Sequence, residues 1–260
     1  MRNTRLIARL DVKGQTLIKG VHMEGLRVVG DPQVYAKRYY AEGVDELIYL
    51  DIVASLYGRN KLIDIVRLAA EEVFIPMTVG GGIRNLDDVC ELLHAGADKV
   101  AINTAAVHRP ELIREVSRRF GSQCMVLSIE AKQHETGRWE VYTDSGRERS
   151  GMDVVEWARK GLELGAGEIL VTSIDHDGTK KGMELDLISA ISSEVGIPVI
   201  ASGGCASSEH ARAAIDIGAD AIAVGAALHT DHLGLISLRN DLRAMGYPLR
   251  PMPTEFESHD

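Results

Sequence analysis

Apolar residues along the chain fall into short runs separated by longer stretches of helical period. Leu6 to Val12, Leu47 to Leu50, Ile75 to Val79, Val100 to Ile102, Met125 to Ile129, Ile169 to Val171, Pro198 to Ala201 and Ala221 to Val224 read as eight buried strands. Between them, Asp31 to Glu42, Leu86 to Ala95, Pro110 to Phe120, Val154 to Leu164 and Ser207 to Ile217 repeat apolar residues every three or four positions and predict helices. The punctuation agrees. Asp31-Pro32 supplies an N-cap and a first-turn proline, and Gly43, Gly96, Gly165 and Gly218 follow helix ends.

The pattern is written twice. Ile75-Pro76, Gly81-Gly82, Gly96-Ala97-Asp98, Ala101 and Ala105 return 122 residues later as Ile197-Pro198, Gly203-Gly204, Gly218-Ala219-Asp220, Ala223 and Ala227. Gly43, Glu46 and Leu47-Ile48 are echoed by Gly165, Glu168 and Ile169-Leu170 at the same offset. Eight strands alternating with helices in two similar halves predict a (βα)8 TIM barrel in the α/β class. The expected organisation is one barrel domain over 1–250, with half-barrels of about 1–122 and 123–250, and a C-terminal tail over 251–260. An open doubly wound sheet would use similar elements, but the Gly-x-Gly-x-x-Gly that opens such sheets is absent. One βα connection is too long for a turn: Lys132 to Ser150, whose Trp139 to Tyr142 run precedes Asp144-Ser145-Gly146, predicts a hairpin after the fifth strand.

Composition narrows the partners. The 260 residues carry 29 Lys+Arg against 38 Asp+Glu, a net charge of -9, which disfavours a nucleic-acid or membrane-surface binder. The chain shows no apolar stretch of membrane-spanning length and no signal-peptide start, so a cytoplasmic location is expected. Cys90, Cys124 and Cys205 lie far apart, and neither a metal site nor a cofactor is expected.

Chemistry in such barrels sits at the C-terminal ends of the strands. Asp11 ends the first strand and Glu130 the fifth, each in an acid-x-Lys triplet completed by Lys13 or Lys132. A lone strand-end acid commonly caps a loop or pairs with a lysine. Two at matching places suggest a general acid and a general base across one mouth. Gly80-Gly81-Gly82 and Gly203-Gly204 follow the third and seventh strands, and Asn103-Thr104 and Gly225-Ala226 follow the fourth and eighth. Glycine turns let backbone N–H groups converge on an anion, aided by the next helix N-terminus. Two such cradles, with Asp177-Gly178-Thr179 after the sixth strand, predict a ligand phosphorylated at both ends. Arg5, Glu46, Lys99 and Glu168 begin strands at the opposite face, where the bare pattern reads as a paired or solvated rim.

Leu10-Asp11-Val12-Lys13, Lys19-Gly20, Thr78-Val79-Gly80-Gly81-Gly82-Ile83-Arg84, Gly96-Ala97-Asp98-Lys99-Val100, Ile102-Asn103-Thr104 and Thr172 to Thr179 closely resemble the HisF family, from about Arg5 to Arg250. That family is the cyclase side of imidazole glycerol phosphate synthase. The resemblance implies binding of the bisphosphorylated aminoimidazole ribonucleotide PRFAR and use of ammonia from a HisH-like glutaminase docked on the N-terminal face. It implies Asp11 and Glu130 as the catalytic pair and Lys19 as a mobile-loop residue that closes on substrate. One phosphate would meet Gly82, Asn103 and Thr104, the other Asp177, Gly178, Gly204, Gly225 and Ala226. Arg5, Glu46, Lys99 and Glu168 would gate an ammonia passage, with Asp98 at the partner interface.

Three features depart from the family pattern: Glu130 is one methylene longer than its usual Asp, Arg9 stands where a small residue is usual, and Lys13-Gly14-Gln15 lacks an acid-Gly step. With Asp51 to Asn60 they are similar to the glycosyl amidation-associated paralogue WbuZ, in which barrel and glutaminase supply ammonia to a third, sugar-amidating enzyme for surface polysaccharide. The sequence reading leans to that paralogue. Histidine-pathway cyclisation of PRFAR is the alternative, and a non-catalytic ammonia-conducting scaffold a further one.

Overall fold

The computed structural model describes residues 3–54 and 62–251; the Ser55 to Asn60 part of the paralogue-like run and residues 252–260 of the expected tail lie outside the described residues. Twelve strands form among the described residues: β1 (Arg5–Lys13), β2 (Thr16–Val21), β3 (Glu24–Gly30), β4 (Glu46–Asp51), β5 (Met77–Gly80), β6 (Lys99–Ile102), β7 (Met125–Glu135), β8 (Arg138–Thr143), β9 (Glu148–Asp153), β10 (Glu168–Ser173), β11 (Val199–Ser202) and β12 (Ala221–Val224). Eight of them run parallel in the cyclic order β1-β4-β5-β6-β7-β10-β11-β12, and the β12–β1 pairing closes the ring. This is the (βα)8 barrel that the repeat predicts.

Alternation builds its two layers. Leu6, Ala8, Leu10 and Val12 of β1 point outward and join the continuous core between sheet and helices. Ile7 points inward and packs with Ile48, Ala101, Val126, Leu170, Ile200, Ala221 and Ala223, an apolar plug inside the barrel. Burial on both faces explains why these strands read as continuous apolar runs. Helices close where the sequence places their ends: Asp31 accepts from Gln33 N at 2.8 Å, and Gly96 and Gly218 take φ of +116° and +118°.

The remaining four strands make two antiparallel hairpins. β8–β9 extends β7, as the Lys132 to Ser150 stretch predicts. β2–β3 extends β1 in the same way and is not among the predicted elements. Its physical reason is exposure: β3 buries no residue fully, so it carries no alternating apolar pattern.

The repeated Gly-x-Asp also has a structural reason. Asp45, Asp98 and Asp220 each sit just before a barrel strand and accept a hydrogen bond from a backbone N–H at the start of the neighbouring barrel strand: Leu6 N at 2.8 Å, Met77 N at 2.8 Å and Val199 N at 3.0 Å. At the fourth such junction, Gly167 replaces the acid because a Cβ there would meet Ser122 O at 2.1 Å. Asp45 also pairs with Arg239, which is 1% exposed. Replacing Asp220 with Ala is expected to cost about 1–2 kcal/mol for one lost hydrogen bond. Replacing Asp45 with Ala should cost about 3–5 kcal/mol, because it leaves a buried guanidinium unpaired. Urea unfolding of both variants checks the difference.

Candidate active site

Asp11 and Glu130 are equivalent in register. Asp11 pairs with Leu50 of β4 and Glu130 with Thr172 of β10, and those partners are themselves related by the 122-residue repeat. The two carboxylates therefore stand at the same height on the strands that open each half.

Their surroundings differ. Asp11 Oδ1 accepts from Arg9 Nε at 2.8 Å, and Oδ2 from Lys19 Nζ at 2.6 Å. Burial alone would raise this carboxyl, but the Arg9 and Lys19 charges outweigh it and hold Asp11 well below the usual carboxylate range. Lys19 also reaches both oxygens of Asp177 at 3.0 Å. It arrives there on the β2–β3 hairpin, which lies over the barrel mouth and is pinned by His22 N donating to Asp177 O at 2.8 Å. Gly178 makes that approach possible, because a Cβ would stand 2.2 Å from Gly20 O. Lys13 and Lys132, expected to flank the carboxylates, do not: both are exposed, and Lys132 Nζ lies 5.7 Å over the Tyr142 ring. Arg9 and Lys19 take that role.

Glu130 accepts a 2.8 Å hydrogen bond from Gly146 N, in the turn between β8 and β9. Burial pushes its carboxyl up to about 7, opposed by the Gly146 N–H and the Arg9 charge and assisted by Asp11 and Asp144. Such a group exchanges a proton at neutral pH.

The two glycine cradles are copies in backbone. Gly81 and Gly203 have φ of +99° and +105°, and Gly82 and Gly204 have +72° and +86°. Asn103 and Gly225 share an uncommon conformation, φ/ψ of -116°/-87° and -121°/-84°. Side chains are excluded at the turns: a Cβ at Gly81 would lie 2.2 Å from Asp51 O, and one at Gly204 would lie 1.9 Å from Gly182 O. The helices that follow, Thr104–His108 and Ala226–His229, are only five and four residues long. The glycine turns themselves lead into longer helices, Leu86–Ala95 and Ser208–Asp216.

Their present filling is unequal. Beside the first cradle is a cavity of about 470 Å³ lined by Gly82, Asn103, Thr104, Ser128 and Glu130. Asn103 Nδ2 donates to Tyr142 O at 3.0 Å, and Thr104 Oγ1 accepts from Asp144 N at 3.0 Å, so the second hairpin forms that cavity's rim. Beside the second cradle the space is about 20 Å³, lined by Arg9, Lys19, Asp177, Gly178, Gly204, Gly225 and Ala226. That is room for roughly one water.

At the other end of the barrel, Arg5 and Lys99 each bridge Glu46 and Glu168, with Arg5 to Glu46 at 2.7 Å and Lys99 to the two acids at 3.2 and 2.9 Å. The four residues form a closed ring. Asp98 stands apart, exposed beside Lys99, with Oδ2 engaged by Met77 N. Sequence reasoning missed the inward reach of Arg9 to Thr172 Oγ1 at 2.8 Å and Ser202 Oγ at 3.0 Å. The strand period, which puts Arg9 on the face of Asp11, is the signal that points to it.

Comparison with known proteins agrees with this architecture. The histidine biosynthesis protein family matches residues 5–234. Imidazole glycerol phosphate synthase subunit HisF of Legionella pneumophila is 68% identical over 204 residues, 78% of this chain and 96% of that protein. The proteins of the same name from Streptomyces avermitilis and Thermobifida fusca are 52% and 49% identical, each covering 95% of this chain and 98% of their own length. With a closed barrel, two copied cradles and this extent of identity, the chain belongs to the histidine biosynthesis protein family.

Proposed function

We propose that this chain is the cyclase subunit of an imidazole glycerol phosphate synthase, turning over PRFAR with ammonia delivered by a HisH-like glutaminase. The observation that carries the reading is the pair of backbone cradles with matching dihedral angles, set about two equivalent strand-end carboxylates. Such a mouth suits an elongated ligand with an anionic group at each end and its reacting atoms between. Gly82, Asn103 and Thr104 would hold one phosphate; Asp177, Gly178, Gly204, Gly225 and Ala226 would hold the other once Lys19 leaves the space it occupies. Asp11 and Glu130 divide the electrostatic and proton-transfer work, and Lys19 closes the mouth.

The ring of Arg5, Glu46, Lys99 and Glu168 serves in this reading as a gate. Its charges sum to zero, so it can close off the lumen without leaving an unpaired charge in a dry place. The glutaminase docks on that face, where Asp98 offers an exposed carboxylate. The lean toward a sugar-amidating complex with a third enzyme gives way here: the features behind it are Glu130, Arg9, the first loop and a run partly outside the described residues, whereas the relatives that span the chain carry the synthase name. Among the described residues no helix is long and apolar enough to cross a membrane.

Phosphate titration should shift the backbone amide resonances of Gly82 and Thr104 and, at higher concentration, those of Gly204 and Ala226, because Lys19 must first be displaced. Amides that stay unmoved in both regions contradict the cradles. With PRFAR and ammonium salt, Asp11→Asn and Glu130→Gln are each expected to lower kcat by at least about 10²-fold while substrate still binds. A chain that binds phosphate yet turns over no PRFAR would be the conducting scaffold instead. Asp98→Ala should weaken binding of the cognate glutaminase by about 1–3 kcal/mol, read by calorimetric titration.

A further inference from the structure

Asp11 and Glu130 occupy equivalent positions, yet one is wrapped in cations and the other is not. Arg9 is the principal cause. It is 2% exposed and fixed at three points, through Nε to Asp11 Oδ1 and through Nη1 to Thr172 and Ser202. With Lys19 on Oδ2, each oxygen of Asp11 faces a cation. Asp11 lines neither mouth cavity; Arg9 and Lys19 line the smaller one, while Glu130 lines the larger. Protonating Asp11 would leave two buried cations with Asp177 as their remaining close anion, a costly arrangement. Glu130 accepts from an uncharged backbone N–H.

We propose that Arg9 is a positioning residue that assigns the roles of the two carboxylates: it holds Asp11 as a standing anion and leaves Glu130 as the carboxyl that takes up and releases the proton. This rests on the reading of the mouth as the reacting site. When ammonia has added to a carbonyl carbon of the ligand, the C–O bond breaks as C=N forms: Glu130 gives its proton to the hydroxyl that leaves as water and regains one from that nitrogen, so the carboxyl ends the step as it began. The charged groups facing Glu130 are Arg9 and Asp11 from β1 and Asp144 from the β8–β9 turn. Those facing Asp11 are Arg9 and Lys19, with Glu130 across the mouth and His229 and, through Lys19, Asp177 behind them. Arg9 lowers both carboxyls, so its removal should raise both.

The test is carboxyl ¹³C NMR of the full chain titrated from about pH 4 to 9, with resonances assigned by Asp11→Asn and Glu130→Gln. PRFAR turnover with ammonium salt is measured in parallel. In wild type, Glu130 should titrate near 7 while Asp11 stays unmoved. Arg9→Ala should bring an Asp11 titration into the window, shift Glu130 upward, and add a second break to the pH profile of kcat. It should lower kcat by about tenfold or more with KM changed less than about threefold, and Arg9→Lys should restore the single Glu130 titration. An Asp11 that titrates in wild type, or titrations unaltered in Arg9→Ala, would overturn the proposal. The NMR reading needs no substrate: absent PRFAR turnover with the expected titrations would contradict the proposed reaction and leave the role of Arg9 standing.

Discussion

The interior of this barrel admits charge only in compensated sets. At the N-terminal end, Arg5 and Lys99 balance Glu46 and Glu168; at the mouth, Arg9 and Lys19 balance Asp11 and Asp177. Each quartet sums to zero, and the apolar layer of Ile7, Ile48, Val126, Leu170 and Ile200 lies between them. Desolvating an unpaired ion is costly enough to impose this arrangement. Glu130 is the exception, a half-buried carboxyl in the wall of the larger cavity with no cation in direct contact, and its raised proton affinity follows from partial desolvation without a paired charge.

Duplication of a half-barrel explains the symmetry of the mouth and the sharing of its parts. Each half contributes a strand-end carboxylate, a pair of positive-φ glycines, a cradle residue in an uncommon conformation, and a hairpin that extends its first strand. The halves have diverged in what their hairpins bring. The first delivers Lys19 into the second cradle, and the second delivers Asp144 N and Gly146 N to Thr104 and Glu130. One side of the mouth is therefore filled by a compensated set of charges, while the other keeps an open cavity around a protonatable acid.

Much of this was legible in the residues. The barrel strands, the β8–β9 hairpin and both cradles follow from periodicity, glycine placement and the repeat. Lys19 entered through resemblance alone, since the β2–β3 hairpin that carries it lacks an alternating apolar face; applying the repeat to the Lys132 to Ser150 insertion would have predicted it. Arg9 could be placed on the inward face by its spacing from Asp11, but its contacts to Thr172 and Ser202 are 163 and 193 residues away and needed the closed ring. The acidity of Glu130 was not legible, because it depends on burial and on a single N–H from a distant turn.

Glu130, the uncompensated charge in an otherwise balanced interior, makes the stability of the fold depend on pH. A carboxyl whose pKa rises on folding stabilises the native state below its unfolded pKa, and that contribution is lost as pH climbs through the folded value near 7. The measurement is unfolding free energy of wild type and Glu130→Gln between about pH 4 and 8. The account predicts that wild type loses up to about 3 kcal/mol relative to Glu130→Gln across that range, with most of the loss between about pH 4.5 and 7. Parallel stability curves for the two proteins would contradict it.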